Sequence, residues 1–463
     1  MHAVSALEGE LGNLQETIEE CLEQKEYARL RDLLVPLEAA DIAMLCTALG
    51  EKVPLVFRLL PKELAAEVFV ELDSDEQELL IQSFSNTELK EVLDELYLDD
   101  TVDIVEEMPA NVVKRILRHC DPEMRKSINE ILKYPEDSTG SIMTMEFVDL
   151  KQTMTVEAAF KRIRRTGLDK ETINICYVID EQRHLIGLLS IRTLVLADED
   201  DVIGDIMQTN IISVHTLDDK ETTALALSKY GFLALPVVDT ENRLVGIVTV
   251  DDAMDVLQEE ATEDIELMAA ILPSDKPYLK TGVFETWKAR TPWLLVLMLS
   301  ATFTGIILTH FENALSACAV LTAFIPMLSG TGGNSGTQAS TAVIRALSLG
   351  EVRFSDLMRV LWKEFRVSLC CGICLAAANF VKMMLVDRIL MNNPAVTPWV
   401  ALVVCCTLVG TVLCAKLVGC SLPILAEKIG FDPAVMASPF ISTIVDSISL
   451  LIYFRFATLI LGI

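Results

Sequence analysis

Apolar residues follow three rhythms along the chain. From Leu14 to Tyr134 they recur at three- to four-residue spacing in short bursts, as in Leu60-Pro-Lys-Glu-Leu-Ala-Ala-Glu-Val-Phe-Val-Glu-Leu72, where Pro61 sits at the start of a first turn. Leu98-Asp-Asp-Thr-Val-Asp-Ile-Val-Glu-Glu-Met-Pro109 repeats the scheme. Such units in series predict short helices stacked as a superhelix. Further on, Val178-Ile-Asp-Glu-Gln-Arg-His-Leu-Ile-Gly-Leu-Leu-Ser-Ile191 returns as Val237-Val-Asp-Thr-Glu-Asn-Arg-Leu-Val-Gly-Ile-Val-Thr-Val250. Each reads as strand, polar turn, strand and entry into a helix, and Asp, Leu and Gly keep the same offsets, so this is a doubled α/β unit.

From Trp293 onward the apolar runs reach membrane length. Five spans can be drawn: Trp293 to Thr309, Leu315 to Val343, Val367 to Val386, Pro398 to Leu425 and Val435 to Leu461. The predicted organisation is an acidic helical domain over 1–134, the doubled α/β unit over 135–265, a linking helix over 266–291 and a five-helix membrane domain over 292–463. Pro273 and Pro277 predict a broken start to the linking helix.

Charge sharpens this division. Residues 1–290 hold 28 basic and 59 acidic side chains, against 10 and 8 in 291–463, so the net charge of −29 resides in the part outside the spans. That surface repels nucleic acid and anionic headgroups and attracts cations. Met1 to Gln24 is polar and has no apolar signal core, which places the amino-terminal part in the cytoplasm. Arg345, Arg353, Arg359, Lys363 and Arg366 cluster between the second and third spans, and Lys428 lies between the fourth and fifth. The positive-inside rule then predicts a multi-pass protein of the cell (plasma or inner) membrane with its carboxyl terminus outside. Lys416, late in the fourth span, is expected to snorkel to the cytoplasmic interface. The twelve Cys are scattered and form no disulfide framework.

The candidate chemistry centres on Asp446, an acid within the last span. An ionisable group at mid-bilayer costs about 2.5 to 3.5 kcal/mol on insertion scales, so it should face a partner, a cavity or an ion. The second span contains Pro326-Met-Leu-Ser-Gly-Thr-Gly-Gly-Asn-Ser-Gly-Thr-Gln338, too polar and too rich in glycine to face lipid. Asn334 and Gln338 offer amide oxygens one turn apart, and Ser442, Thr443 and Ser449 lie near Asp446, which suggests a polar path lined by two helices. Carboxylate, hydroxyl and amide oxygens without clustered His or Cys suit a hydrated divalent cation such as Mg²⁺ rather than a soft transition metal. A symmetric dimer would bring two copies of Asp446 to one axis.

The doubled unit resembles a tandem CBS pair, its halves opened by Ile142-Met-Thr144 and Asp205-Ile-Met207. The whole chain resembles the MgtE family of magnesium channels. The motifs, in order, are Pro135-Glu-Asp-Ser-Thr-Gly-Ser-Ile-Met-Thr144, Ala234-Leu-Pro-Val-Val-Asp239, Val248-Thr-Val-Asp-Asp252, Glu260-Ala-Thr-Glu-Asp264, Gly332-Gly-Asn-Ser-Gly336, Asp432-Pro-Ala434 and Thr443-Ile-Val-Asp446.

The resemblance implies a homodimeric, non-enzymatic Mg²⁺ channel that mediates uptake, with Asp446 binding hydrated Mg²⁺ in a central pore and Asp432 near its mouth. Asn334, Gln338, Ser438, Ser442 and Thr443 are then pore-lining candidates. It also implies an acidic cytoplasmic sensor that closes the channel when Mg²⁺ binds, with Asp99, Asp103, Asp252, Asp255, Glu260, Glu263 and Asp264 as candidates and Glu67 as a looser one. CBS clefts often take ATP or another adenine nucleotide, for which Phe232 and Asp255 are candidates. Two positions depart from the family pattern: Gly231 stands where Asp is frequent, and Ser438 where some members carry Asn. Competing readings are an alternating-access carrier of broader divalent selectivity, an intramembrane aspartyl protease and a purely regulatory CBS sensor. The first needs an inverted repeat that the spans do not display, the second a second deep carboxylate, and the third leaves the polar second span without a purpose.

Overall fold

The computed structural model describes residues 14–274, 278–436 and 438–462, the side chains of Glu51, Asp169, Asn313, Ala314 and Ser438 excepted. The chain divides into two compact units, Met1–Leu257 and Gln258–Ile463.

Among the described residues the first unit begins with ten short helices: α1 (14–24), α2 (Tyr27–Leu34), α3 (Ala39–Leu49), α4 (Val53–Phe57), α5 (Lys62–Val70), α6 (Ser74–Ser83), α7 (Asn86–Leu93), α8 (Leu98–Glu107), α9 (Ala110–His119) and α10 (Pro122–Ile131). Helices two apart in sequence pack together, α3 on α5, α4 on α6, α5 on α7 and α8 on α10, which is the predicted superhelical stacking. Strong local stops keep the helices short. Ser85 caps α7 reciprocally with Glu88, their side chains meeting each other's backbone N–H at 3.2 and 2.7 Å. Asp121 caps α10 just ahead of Pro122. One apolar core runs through the array, from Ile18 through Phe57, Phe69 and Phe84 to Ile131.

Two three-stranded sheets follow, in order β1 (Val148–Lys151), β2 (Ile175–Ile179), β3 (Leu185–Ser190) and β4 (Val214–His215), β5 (Ala234–Val238), β6 (Leu244–Thr249). In each, the first strand pairs parallel with the second and the second antiparallel with the third, so the sequence repeat is also a structural one. Helices α11 (Val156–Thr166), α12 (Ile191–Leu196), α13 (Ile203–Ile206) and α14 (Lys220–Tyr230) accompany the strands. Phe147, Tyr177, Ile179, Ala234, Leu244 and Ile247 form an apolar layer shared by the two halves. The halves also exchange backbone bonds, Thr144 with Ile247 and Leu185 with Asn242.

The predicted linking helix is not one helix. Helix α15 (Val250–Met268) starts in the second CBS half and ends before Pro273, and α16 (Val283–His310) begins only after Gly282. It then continues through Pro292 into the first span without a break.

Beyond a short α17 (Glu312–Ala317), the second unit holds α18 (Ile325–Ser348), α19 (Leu357–Lys382, prolonged by a π-helical stretch Met383–Leu390), α20 (Pro398–Ile429) and α21 (Ser438–Leu461). Among the described residues four segments are long and apolar enough to cross a membrane, Val283–His310, Phe354–Leu390, Pro398–Ile429 and Pro433–Leu461. Helix α18 has the length, at 24 residues, and is set apart by its polar, glycine-rich sequence. The predicted second span is corrected accordingly. Its membrane-length helix begins at Ile325 rather than Leu315, and the glycine stretch is regular helix.

Helix α20 is the hub, packed by α18, α19 and α21. Glycines set the spacing. A Cβ at Gly419 would strike the Gly336 carbonyl, and one at Gly332 would sit 2.6 Å from Thr411 Cγ2, so α18 and α20 cross with backbones in contact. Lys416 is buried on α20, its Nζ 3.7 Å from Glu364 Oε2 of α19.

Candidate functional site

Two constellations of oxygen-bearing side chains stand out, one in each unit. In the first, the start of α8 meets the start of α15. Asp99 is buried in the first turn of α8, and its carboxyl is pushed well above the usual carboxylate range by burial, then by the charges of Asp252 and Glu171. Asp100 beside it is raised to about 7 by burial and by Asp252. Asp252 is raised to about 6, chiefly by burial, although the Thr249 hydroxyl donates to it. Glu171 is raised to about 8, again by burial first and then by Asp251, Asp100 and Asp252. Its Oε2 is buried with no hydrogen-bond partner among the described residues. Glu146 closes the group, accepting from the Leu98 backbone N–H at 3.4 Å.

These acids repel one another, the condition that a divalent cation relieves. Among the described residues no three carboxylates converge as a ready metal cage. A spread of acids suits Mg²⁺, which keeps several waters and needs only one or two direct carboxylates.

The predicted sensor residues divide into three groups. Asp99, Asp103 and Asp252 come together, Asp103 from the exposed side of α8 with Asp252 as an electrostatic neighbour. Asp255 is exposed one turn further along α15, and Glu67 is exposed on α5. Glu260, Glu263 and Asp264 belong to the second unit. There Asp264 accepts from Ser348 Oγ at 3.0 Å, with Arg345 and Asp432 as electrostatic neighbours, and burial raises its pKa. Leu267 and Met268 at the end of α15 pack on Ile344 and Ala434 in the same region. Sequence reasoning missed Asp100, Glu146 and Glu171, which lie on three separate segments. Only the acidic composition hinted at them.

The second constellation lies between α18 and α21, which run antiparallel. A Cβ on Gly332 would meet Val445, on Gly333 Ser442 and on Gly336 Ile441. Across this seam Asp446, half-buried, hydrogen-bonds the Ser329 side chain, and Ser442 borders Gly333. Ser449 donates to the Asp446 carbonyl at 2.9 Å and Thr443 to the Pro439 carbonyl at 3.1 Å, so both hydroxyls are tied to their own helix. Asn334 and Gln338 are not beside Asp446. They form an exposed row on α18, because at 100° per residue they lie about a third of a turn or more from Ser329 and Gly333. The side chain of Ser438 lies outside the described residues, although the residue opens α21. Asp432 is exposed before α21 and accepts from the Ala434 N–H at 2.7 Å. Ser329 was not singled out from the sequence, though it stands in the polar stretch that was. Of the nucleotide candidates, Phe232 stacks on Tyr230 at 5.4 Å and Asp255 is exposed.

Membrane-length helices carrying a half-buried acid, joined to a helical array and a CBS pair rich in carboxylates, define a membrane transporter of cations with an appended α/β module. Residues 325–456 match the family described as "Divalent cation transporter", 14–137 the MgtE intracellular N domain, and 140–200 and 203–259 the CBS domain. The magnesium transporter MgtE of Thermus thermophilus is 38% identical over 451 residues, covering 96% of this chain and 98% of that one. The Bacillus subtilis protein of the same name is 33% identical over 430 residues, covering 92% and 93%. Two crystal structures are similar to the first half. The cytosolic domain of the Mg²⁺ channel MgtE in complex with ATP gives a TM-score of 0.50 at 38% identity, covering 52% of this chain and 99% of that one. The soluble part of a magnesium transporter gives 0.50 at 31%, covering 54% and 99%. The chain belongs to the MgtE family of magnesium transporters, which are membrane proteins and not enzymes.

Proposed function

We propose that this transporter is a homodimeric Mg²⁺ channel for uptake, closed from the cytoplasmic side by Mg²⁺ itself. The observation that carries the reading is the placement of Asp446 against Ser329 on a seam of glycine and serine between α18 and α21. A carboxylate flanked by hydroxyls and backbone at a close helix crossing can hold a hydrated ion through its water shell. Pairing two chains about an axis would double the charge and cover the exposed row of Asn334 and Gln338. The carboxyl terminus then lies outside and the acidic domains in the cytoplasm.

Closure follows from differential binding. Asp99, Asp100, Glu171 and Asp252 are held at close quarters, and bare charges there favour separation of α8 from α15. Mg²⁺ bridging them favours contact, so rising cytoplasmic Mg²⁺ shifts the population toward the compact, closed state. Asp264, bonded to Ser348 at the end of α18 and near Asp432, is placed to pass the shift to the pore helices. The ATP complex of a homologous cytosolic domain supports nucleotide binding at the CBS pair here, with Phe232 and Asp255 as candidates.

The test is electrical. The full chain in planar bilayers should give unitary Mg²⁺ currents that fall in open probability as Mg²⁺ rises on the cytoplasmic face. Saturable Mg²⁺ flux without unitary current would replace the channel by a carrier.

A further inference from the structure

We infer that the outer face of α19, near its amino-terminal end, binds the headgroup of an anionic phospholipid. The inner face of this helix is spoken for. Leu357, Val360 and Leu361 pack on the cluster of Ala339, Val343, Cys420 and Ile424, Glu364 turns to Lys416 of α20, and Gly372 lies against Val409. The other face carries Arg359, Lys363 and Arg366, all exposed and spaced i, i+4 and i+7, which aligns them in one stripe. Beside the stripe Met358 is 74% and Trp362 60% exposed.

The stripe has the height of a headgroup layer. At 1.5 Å per residue its cations cover about 10 Å of helix, against about 5 to 8 Å of polar layer on each side of a bilayer. Val367, Leu369 and Ile373 follow as exposed apolar surface on the same helix, so the cations stand where headgroups meet hydrocarbon.

Their charge is largely unspent. Lys382 at the far end of α19 pairs with Asp387 at 2.9 Å, and Lys416 is buried beside Glu364. On the stripe, Arg359 pairs with Asp356 at 2.9 Å, whereas Lys363 has no ion-pair partner among the described residues. Arg366 donates through Nε to the neutral Trp362 carbonyl at 3.4 Å. Its guanidinium lies 5.8 Å from the centroid of the Trp362 ring, which stacks in turn on Phe365 at 5.6 Å with the planes 8° apart. A guanidinium held over a ring still presents its N–H edge to phosphate oxygens, and an exposed indole at a span's end is a membrane-surface anchor.

Orientation by the positive-inside rule asks only for cations near a span. Three of them aligned on the face turned away from α20, with a stacked indole alongside, form a site. The face runs directly into apolar surface of membrane length, and its sign complements the anionic lipids of a cytoplasmic leaflet. The dimer proposed above uses the exposed row of α18, not this face. The acidic domains repel anionic headgroups, so the stripe is a local exception to the net charge of −29.

The test is native mass spectrometry of the full chain in detergent, titrated with phosphatidylglycerol, with phosphatidylcholine of the same acyl chains, and with glycerol phosphate as the chain-free probe. Wild type is compared with the double variant Lys363→Gln and Arg366→Gln, with Trp362→Leu, and with the control Arg164→Gln and Arg165→Gln, which removes the same charge from α11. All five positions are exposed, so the variants should fold and bind phosphatidylcholine as wild type does. The double variant should bind phosphatidylglycerol about thirtyfold more weakly, roughly fivefold for each cation lost at an anionic surface. Trp362→Leu should weaken it about two- to fivefold through the lost ring contact to Arg366, with the control unchanged. Equal phosphatidylglycerol affinity in all four proteins, a loss of both lipids alike, or no preference of wild type for phosphatidylglycerol would overturn the site. Glycerol phosphate binding as tightly as phosphatidylglycerol would overturn its assignment to lipid.

Discussion

Replacing Glu171 by glutamine should stabilise the Mg²⁺-free protein at neutral pH, a sign opposite to that of most substitutions at half-buried polar positions. Its carboxyl stands at about 8 in the folded chain against an ordinary value of 4.5. At pH 7 folding therefore takes up a proton that the unfolded chain has released. By linkage this opposes folding by about 3 kcal/mol as an upper figure, less where the neighbouring acids relax. The deficit is absent below pH 4.5, grows as pH rises from 4.5 to about 8, and is constant above. Glutamine keeps the shape and removes the charge. Thermal unfolding of the full chain in detergent, scanned across that pH window with and without Mg²⁺, checks this. The variant should melt higher than wild type near neutral pH without Mg²⁺, the gap should close toward pH 4.5, and Mg²⁺ should raise its midpoint less. A variant that melts lower at neutral pH without Mg²⁺, or that responds to Mg²⁺ as wild type does, would refute the acid cluster as a cation site.

Binding of Mg²⁺ near pH 7 should release protons from Asp100 and Glu171, seen in calorimetry as a heat that depends on the ionisation enthalpy of the buffer; a buffer-independent heat would contradict their raised pKa values. Glu364→Ala, which leaves Lys416 buried and alone, should cost about 3 to 5 kcal/mol, while the double change Glu364→Gln with Lys416→Met should recover most of it; equal melting of the single and double variants would remove the ion pair as the cause. Gly419→Ala should drive α20 off the Gly336 carbonyl and lower both thermal stability and transport, measured together in liposomes, and wild-type behaviour would show that the crossing is not tight.

Much of this architecture was legible because each part writes its period plainly. The 3.6-residue rhythm of Leu60 to Leu72, the doubled Val178 and Val237 segments and the long apolar runs each have one structural solution. The linking segment was harder, because helix continuity through Pro292 depends on the following span rather than on local propensity. The site was legible where function and local rule conflict. Asp446 in an apolar run and four glycines in a span are local costs that only a tertiary role explains. Asn334 and Gln338 show the limit. Their spacing puts them on one face, but which face meets Asp446 is decided by how α18 packs on α20 and α21. Glu171 was invisible for a similar reason, since its neighbours Asp99 and Asp252 come from distant segments.

The central claim rests on Asp446, and Mg²⁺ flux into liposomes carrying wild type or Asp446→Asn tests it most directly. Asparagine preserves volume and a hydrogen bond to Ser329 while removing the charge, so the variant should fold, insert and melt like wild type. Flux reduced to the level of empty liposomes is the predicted result. Undiminished Mg²⁺ flux through a correctly folded Asp446→Asn protein would contradict the pore.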